Sequence, residues 1–426
     1  MFTQLIKKGK LSPMRKDRIK LDTPSIMFTS LTTKTWGRTF GFSARLTNGD
    51  IDPSLVRQAC RDLAPYYPHV FTNLRRGFFW NYQVPSGSEI NIYEKDRGTI
   101  KPIGYRHDGR PDFRVTWSGS RIAFEAAHCL GDGKGLLRFF AALITRYARL
   151  KAGDDAPFVP ETPAREAMEN SFDRYYQKRG KRDRSRGEKA HHLNVAFNEG
   201  LPELVFAAMP VDRVKERAHA RGMTVTEYLA AVLILGVIRS EKAPIERPVT
   251  VFVPVNLRRF FPSQTMRNFV IQTEIKFYPR GRRDYSLDFV CEKTAKRLKK
   301  QLTKDRLQAT INQYGALAHN PLLGAIPNAV KIPVMKKLQY KTHASATTIF
   351  TNLGQIDLPE SLREVIGDLC FINGDTRYYG LASTVSCVSC GNRLNLCWSQ
   401  ATADRRWLTE CLRLLNEDGV PAEIVP

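Results

Sequence analysis

The stretch that decides the fold is residues 121–135, RIAFEAAHCLGDGKG. An apolar run over residues 122–127 leads to His128, and a glycine-rich turn that carries Asp132 follows. Apolar residues then recur at helical spacing, at Leu136, Leu137, Phe139, Phe140, Leu143 and Ile144. The pattern predicts a strand, a tight turn and a helix, with a histidine and an aspartate placed at the turn.

His128 is the candidate catalytic residue of this turn. An imidazole is the side chain whose ordinary pKa lets it take up and return a proton near neutrality. At the end of a buried strand it can deprotonate a hydroxyl or an amine as that group attacks a thioester carbonyl. Gly133 and its neighbouring glycines permit a sharp turn and a close approach of substrate, and we expect Asp132 to hold the loop by pairing with a cation. A core histidine beside an ordinary turn is the alternative interpretation.

The spacing His128-x-x-x-Asp132-Gly133, between a strand and a helix, resembles the active-site motif of the CoA-dependent acyltransferase superfamily. Its members include chloramphenicol acetyltransferase, peptide-synthetase condensation domains, wax ester synthases and alcohol acetyltransferases. Later segments follow the order found in that superfamily, at residues 222–226, 254–258, 268–269 and 351–354. Ala127 stands where many relatives have a first histidine, which argues against a standard condensation domain but leaves the base in place.

The resemblance implies an α/β (α+β) fold of two chloramphenicol-acetyltransferase-like domains. Each would be a mixed sheet with covering helices, and an active-site tunnel, open at both ends, would lie between them. We predict an N-terminal half over residues 1–170 that carries the motif, a basic linker over residues 171–200 and a C-terminal half over residues 201–426. The linker is indicated by a run of basic residues with few apolar ones: Lys178, Arg179, Lys181, Arg182, Arg184 and Arg186. A docking strip for an acidic partner is the alternative.

Two further residues are predicted to take part in the site. In the superfamily the arginine at the position of Arg258 pairs with the aspartate of the motif, here Asp132, and holds the histidine loop. A surface arginine after a strand is the alternative. The Asn352 amide is predicted to donate a hydrogen bond to the thioester carbonyl as negative charge develops on it, and a turn-forming asparagine is an equal alternative.

A basic amphipathic helix is predicted over residues 285–317. Lys296, Lys300 and Lys304 lie four residues apart, so on one helix they would share a face. We therefore predict that they attract a phosphate-bearing acyl donor, and a solvated face is the alternative.

Cys387 and Cys390 suggest a metal or redox site, but their surroundings predict a β-hairpin around Gly391-Asn392. Residues three apart on a strand face opposite sides of a sheet. Cys397 supplies a third thiol, but the sequence has no second cysteine pair with the spacing of a zinc site. We expect no metal site. The eight cysteines are scattered over 426 residues, which favours free thiols.

The composition bounds the class of protein. The chain is 42% hydrophobic and 25% charged, as in soluble globular proteins, and its formal net charge is +24. No apolar run reaches the length that crosses a bilayer, and the first residues lack a signal core, so we predict a cytoplasmic protein. We also predict that the protein is a monomer. The charge predicts attraction to polyanions such as coenzyme A, an acidic carrier protein or, weakly, an anionic membrane. The basic residues of the chain are scattered and form no recognised nucleic-acid-binding motif, so specific nucleic-acid binding is not predicted.

These observations predict an acyltransferase that moves an acyl group from acyl-CoA or an acyl carrier protein to an alcohol or amine. His128 would be the general base, and the thioester would be a co-substrate with no bound cofactor. Two alternatives stay open: a stand-alone, condensation-like amide-forming enzyme, and a basic non-catalytic protein that binds nucleic acid or an acidic partner.

Overall fold

The computed structural model describes residues 18–34, 37–87, 89–105, 108–154, 156, 158–159, 164–183, 187–356, 360–374 and 380–425. Parts of two predicted features lie outside the described residues. They are the first 17 residues of the predicted N-terminal half, and Arg184 and Arg186 of the predicted linker.

The strands form two large mixed sheets and one small antiparallel sheet. Their bounds are β1 (Ile19–Lys20), β2 (Thr39–Leu46), β3 (Thr72–Arg75), β4 (Tyr82–Pro85), β5 (Asn91–Glu94), β6 (Phe113–Ser118), β7 (Arg121–Ala127), β8 (Glu203–Pro210), β9 (Val249–Asn256), β10 (Val270–Phe277), β11 (Thr348–Gln355), β12 (Ile366–Asn373), β13 (Ser383–Cys390), β14 (Arg393–Gln400) and β15 (Glu423–Val425).

The helices include those that cover the faces of the two large sheets. Their bounds are α1 (Thr23–Thr29), α2 (Pro53–Leu63), α3 (Gly133–Lys151), α4 (Ala164–Ala167), α5 (Ser171–Tyr175), α6 (Val211–His219), α7 (Val225–Ser240), α8 (Leu287–Gln301), α9 (Lys304–Ala318), α10 (Pro321–Ala325), α11 (Asn328–His343), α12 (Glu360–Arg363) and α13 (Arg406–Glu417).

The first large sheet has the order β12-β2-β7-β6-β5 and contains the strand that leads to His128. Helices α2 and α3 pack together and cover it, because each presents one apolar face to the sheet. The aromatic rings of α3 meet those of the strands: Phe140 stacks on Phe42 at 5.6 Å, and Phe139 lies 5.2 Å from Phe124. The predicted strand, turn and helix around the motif are therefore confirmed.

The second large sheet has the order β10-β9-β11-β13-β14-β8-β15. Helix α7 is buried on every side from Tyr228 to Ile238, packed against the sheet, α8 and α13. It begins with a capping box in which Thr224 and Glu227 satisfy each other's backbone amides, and a Thr followed three residues later by a Glu is the sequence signature of such a box. The expectation of two mixed sheets covered by helices is confirmed.

The chain crosses between the two sheets after β11 and again before β13. Strand β12 pairs with β2 in the first sheet, while β11 and β13 pair with each other in the second. Phe371 of β12 packs 5.3 Å from Phe42, so this strand shares the core of the first sheet. The boundary between two halves near residue 201 stays a prediction. Residues 366–373, which belong to the predicted C-terminal half, form the edge strand of the first sheet.

The single helix predicted over residues 285–317 is wrong, because the segment forms α8 and then α9. Leu302 ends the first helix, and Thr303 adopts an extended backbone at φ −85° and ψ 142°. Since helical periodicity does not continue through Thr303, Lys304 does not share a helix face with Lys296 and Lys300.

Two further expectations need correction. The sequence of residues 78–84 predicts a strand, but only Tyr82–Pro85 is extended, because a tight turn brings Gly77 against the carbonyl of Trp80. The basic and largely polar sequence of the predicted linker indicates a solvated segment, yet α5 buries Phe172 against Phe269 at 5.5 Å, while the described basic residues from Lys178 to Arg182 are exposed.

Strands β13 and β14 form the predicted hairpin around Gly391. Cys387 lies in the core beneath the second sheet, whereas Cys390 packs against the core of the first, so their side chains point to opposite faces. The thiols of all eight cysteines are free. None of the helices within the described ranges is long and apolar enough to cross a membrane.

Candidate active site

His128 directly follows β7 and is held through its backbone from two directions. Its amide donates to the carbonyl of Arg38 at 2.8 Å, just before β2 begins. Its carbonyl accepts a hydrogen bond from Asn268 Nδ2 at 2.9 Å. The residue is thus fixed between the first sheet and the segment that leads into β10.

The His128 ring lies in an apolar and aromatic setting. The rings of Phe28 and Phe40 have their centroids 4.4 and 4.9 Å from that of the imidazole. The pKa of His128 is lowered to about 4, chiefly because burial disfavours the charged form and further because Arg38 is positively charged. The imidazole is therefore neutral at pH 7, the form that can accept a proton.

Asp132 is almost completely buried and joins three parts of the chain. Its Oδ1 accepts from the amide of Gly135 at 2.8 Å and caps α3. Its Oδ2 accepts from Arg258 Nη1 and from the amide of Phe269, both at 2.8 Å. Asp132 therefore ties the histidine turn to β10 and to Arg258 rather than facing a cavity.

Arg258 lies in a short 3₁₀ turn after β9, and its guanidinium is largely buried. Besides Asp132, it donates to the carbonyl of Thr265 from Nε at 3.0 Å and from Nη2 at 2.8 Å, and to that of Arg267 at 2.8 Å. Nη1 also donates to Asn256 Oδ1 at 3.2 Å. These five bonds match the five N–H groups of arginine. The surface alternative is wrong, and the pairing with Asp132 that the resemblance implied is present.

The glycines of the turn allow two chain segments to touch. A methyl group on Gly135 would overlap the carbonyl oxygen and the backbone of Met266, and one on Gly133 would lie 2.8 Å from Leu353 Cδ2. We expected these glycines to allow a sharp turn and the approach of substrate. The structure shows that Gly135 permits the approach of another backbone segment.

Asn352 lies on β11 and has contacts of its own. Its Nδ2 donates to Thr226 Oγ1 at 3.0 Å, and its Oδ1 accepts from the amide of Gly354 at 2.7 Å. Gly354 has a φ of 76°, so Asn352 stabilises a turn that glycine makes possible. One N–H of the amide is left for the predicted bond to a thioester.

The three lysines predicted to attract the donor lie on the outer surface. Lys296 and Lys300 are exposed on α8. Lys304 begins α9, with its Nζ 5.7 Å from the centroid of the Phe261 ring. Lys296 and Lys300 thus lie together on α8, whereas Lys304 lies on the next helix.

Arg38 is the residue near His128 that sequence reasoning missed. Its guanidinium lies 4.5 Å from the centroid of Phe28, and its Nη2 lies 3.4 Å from His343 Nε2. Burial and the charge of Arg38 lower the pKa of His343 to about 2. No local signal marks Arg38, because it reaches His128 by way of the β2–β7 pairing.

The cavity beside His128 is small. It is lined by Phe28, Arg38 and His128 among others, and its volume of about 10 Å³ leaves room for roughly one water molecule. An active-site tunnel between the two sheets, which the resemblance implies, stays a prediction. A larger groove, of about 1040 Å³, lies where Ile366 and Gly367 of the first sheet face Cys390 and Asn392 of the second.

This arrangement of sheets is shared with solved structures that include a trichothecene 15-O-acetyltransferase and TRI101 complexed with coenzyme A, so the predicted fold is confirmed. The chain is similar to polyketide synthase associated protein 5 from Mycobacterium tuberculosis, with 15% identity, a TM-score of 0.63, and coverage of 95% of this chain and 98% of that one. It is similar to Fusarium graminearum TRI101 complexed with coenzyme A and deoxynivalenol, with 12% identity, a TM-score of 0.66, and coverage of 96% and 100%. It is also similar to the trichothecene 15-O-acetyltransferase TRI3 from Fusarium sporotrichioides, with 12% identity, a TM-score of 0.61, and coverage of 96% of each chain.

At these identities the likeness establishes the fold alone. No protein-family model matches the chain, and no curated protein matches it by sequence. The function therefore rests on the site.

Proposed function

We propose that the protein is an acyltransferase that moves an acyl group from a thioester of coenzyme A or of a carrier protein to an alcohol or amine. The observation that carries this proposal is the setting of His128. A neutral imidazole is held at a strand end by two backbone hydrogen bonds, and the turn after it is locked by Asp132. Two neighbours of the same fold, one named as an O-acetyltransferase and one solved with coenzyme A, support the choice of reaction.

In the proposed reaction His128 acts as general base and then as general acid. The acceptor gives its proton to the imidazole while its oxygen or nitrogen forms a bond to the thioester carbon. When the tetrahedral intermediate collapses, the carbon–sulfur bond breaks and the imidazolium returns the proton to the departing sulfur. The products are an ester or amide and a free thiol, and no covalent acyl-enzyme is required.

The pKa of His128 suits this cycle once the cavity contains substrate. Burial is the largest cause of the lowered pKa, so a polar acceptor beside the ring would raise the pKa toward the ordinary value of about 6.5. A base with a pKa near the working pH is the most effective proton carrier. The imidazole of His128 would thus be neutral in the empty site and would become more basic when substrate is bound.

Asp132, Arg258 and Gly133 would serve as positioning residues. The carboxylate of Asp132 is occupied by Gly135, Phe269 and Arg258, so its part is to hold the start of α3 and thereby the loop that follows His128. Asn352 would donate its remaining N–H to the thioester carbonyl. Lys296 and Lys300 would attract the phosphates of the donor, with Lys304 contributing separately.

The cavity of about 10 Å³ beside His128 cannot by itself hold a thioester. Phe28 and Arg38 line it, and both lie on the segment formed by α1 and the loop before β2. We propose that the side chains of Phe28 and Arg38 move aside when substrate enters.

Free thiol release from a panel of acyl-CoAs, with alcohols or amines as acceptors, tests the proposed function. The parent should release thiol only with both substrates present, and His128→Ala should lose on the order of a hundred to ten thousand fold. The matched control is His219→Ala, because His219 is exposed on α6. A His128→Ala variant that keeps near-normal turnover with a proven acceptor would show the mechanism to be wrong. Whether alcohols or amines are consumed distinguishes an O-acyltransferase from an amide-forming enzyme.

A further inference from the structure

Large apolar side chains are exposed on one region of the surface, away from the cavity beside His128. Phe78 is 72% exposed and Leu322 77% exposed. More than half of each of Val330, Val334 and Leu338 is also exposed. These five residues, with the half-exposed Phe79, are called the apolar face here. Isolated exposed apolar residues are ordinary, but a contiguous set marks an interaction surface.

The three segments that carry the apolar face are tied into one unit. Asn328 donates to the carbonyl of Phe78 at 2.7 Å through its amide, and to that of Gly77 at 2.8 Å through Nδ2. Lys331 places its Nζ 3.2 Å from the ring centroid of Trp80 and donates to the carbonyl of Leu323 at 3.1 Å. The loop at residues 77–80, α10 and the start of α11 therefore present their apolar side chains together.

One side of α11 carries exposed apolar residues, and the opposite side is buried against the rest of the protein. Val330, Val334 and Leu338 recur every four residues and form one stripe. Gln339 and His343 are buried on the opposite side, and Gln339 Nε2 donates to the carbonyl of Met27 at 2.8 Å. Helix α11 is thus hydrogen-bonded to α1, whose Phe28 touches the His128 ring. The apolar face lies on the outer side of the elements that cover His128.

Positive charge accompanies the apolar stripe. Lys337 and Lys341 are exposed and follow Val330 and Val334 by seven residues, which is two helical turns and places them on the same side. Lys336 is exposed as well, and neither α10 nor α11 contains an acidic residue. The whole chain carries a formal charge of +24. A partner that covers this surface must therefore be both apolar and negatively charged.

We propose that the apolar face docks on an anionic lipid surface, with α11 lying in the plane of the interface. Phe78, Phe79 and Leu322 would enter the boundary between headgroups and acyl chains, while the lysines would reach the acidic headgroups. Side chains exposed by more than two thirds, such as Phe78 and Leu322, protrude from the surface. Protruding side chains suit a deformable lipid surface, whereas a helix of a protein partner is usually received in a groove. The proposal stands independently of the proposed acyl transfer.

Binding of the full chain to vesicles tests the proposal. Vesicles of phosphatidylcholine alone are compared with vesicles that contain about a third phosphatidylserine, in a flotation assay at fixed salt. The parent should float with the acidic vesicles, and Phe78→Ser/Leu322→Ser should bind at least about tenfold more weakly because the insertion is lost. Its control is Phe197→Ser/Ile424→Ser, which removes two exposed apolar side chains elsewhere and should bind as the parent does.

The charged variants separate a specific face from general attraction. Lys337→Glu/Lys341→Glu should weaken binding at least about tenfold. Lys242→Glu/Arg247→Glu makes the same change in net charge at two exposed residues of another loop and should have little effect. The proposal would be overturned if both double variants lost vesicle binding equally, or if the parent did not bind acidic vesicles. Binding to an immobilised acidic carrier protein that only the variants of the face lose would assign the face to a protein instead.

Discussion

Arg258 donates a hydrogen bond of 2.8 Å to Asp132 from a position 126 residues further along the chain. The same carboxylate caps α3 and accepts from the amide of Phe269. One buried ion pair thus fastens the turn after His128 to the segment between β9 and β10. The position of the candidate base depends on both halves of the chain.

Removing either partner of this pair should be strongly destabilising. Asp132→Ala and Arg258→Ala each leave a buried charge unpaired, which costs about 3 to 5 kcal/mol in the free energy of unfolding. A double-mutant cycle measured by urea unfolding should show coupling of about 0.5 to 3 kcal/mol. The exposed pair Arg213–Glu216, 2.8 Å apart on α6, is the control and should couple by less than about 1 kcal/mol. Additive losses at Asp132 and Arg258 would mean that the pair does not form in solution.

The stability of the protein should fall as the pH is lowered below about 6.5. Burial lowers the pKa of His69 to about 3, of His128 to about 4 and of His343 to about 2. In the unfolded chain each histidine has a pKa of about 6.5, so between about pH 6.5 and 4 the unfolded state binds more protons than the native state.

This difference in proton uptake lowers the free energy of unfolding by up to about 1.4 kcal/mol per pH unit for each of these histidines. Urea unfolding at several pH values should show that His69→Gln has a shallower pH dependence than the parent. His219→Gln, at an exposed position, should retain the slope of the parent. An unchanged slope in His69→Gln would contradict the assignment of a depressed pKa to His69.

The charge of Arg38 should set part of the pKa of His128. Arg38→Gln removes that charge, so the pKa of His128 should rise toward its ordinary value. NMR titration of the ring, or the acidic limb of kcat/KM against pH, measures the shift. Arg138→Gln is the control, because Arg138 acts on the pKa of His69. A pKa of His128 that is the same in parent and Arg38→Gln would show that burial alone lowers it.

A single methyl group at Gly135 should perturb the site. Alanine favours a helix over glycine by about 1 kcal/mol, yet the added carbon would overlap the backbone of Met266. We expect Gly135→Ala to lower the unfolding free energy by about 1 to 3 kcal/mol, as overpacking does. Gly98→Ala, where a methyl group meets nothing within 4 Å, should be nearly neutral. A melting temperature for Gly135→Ala at or above that of the parent would refute the close approach.

Charge reversal on α8 tests the predicted donor attraction. If Lys296 and Lys300 attract a phosphate-bearing donor, Lys296→Glu/Lys300→Glu should raise KM for the thioester more than KM for the acceptor. The difference should shrink at high salt as the charges are screened. Lys304→Glu should have a smaller effect, since Lys304 begins the next helix. Identical kinetics in parent and double variant at low salt would exclude this role.

The sequence by itself determined the features that depend on near neighbours. The strand, turn and helix around His128 follow from periodicity, and the caps at Asp132 and Thr224 join atoms three residues apart. The hairpin of β13 and β14 turns on Gly391, whose φ of 55° suits glycine. Such features need no knowledge of the sheet order, because each is decided within a few residues.

Tertiary structure alone decided what surrounds the candidate base. His343 lies 305 residues from Arg38, yet the two side chains are 3.4 Å apart, and Gln339 on the same helix is hydrogen-bonded to α1. Strand β12 joins the first sheet although its sequence neighbours β11 and β13 belong to the second. The lowered pKa of His128 and its small cavity arise from these long-range contacts, since burial depends on how elements pack rather than on the residues beside His128 in the chain.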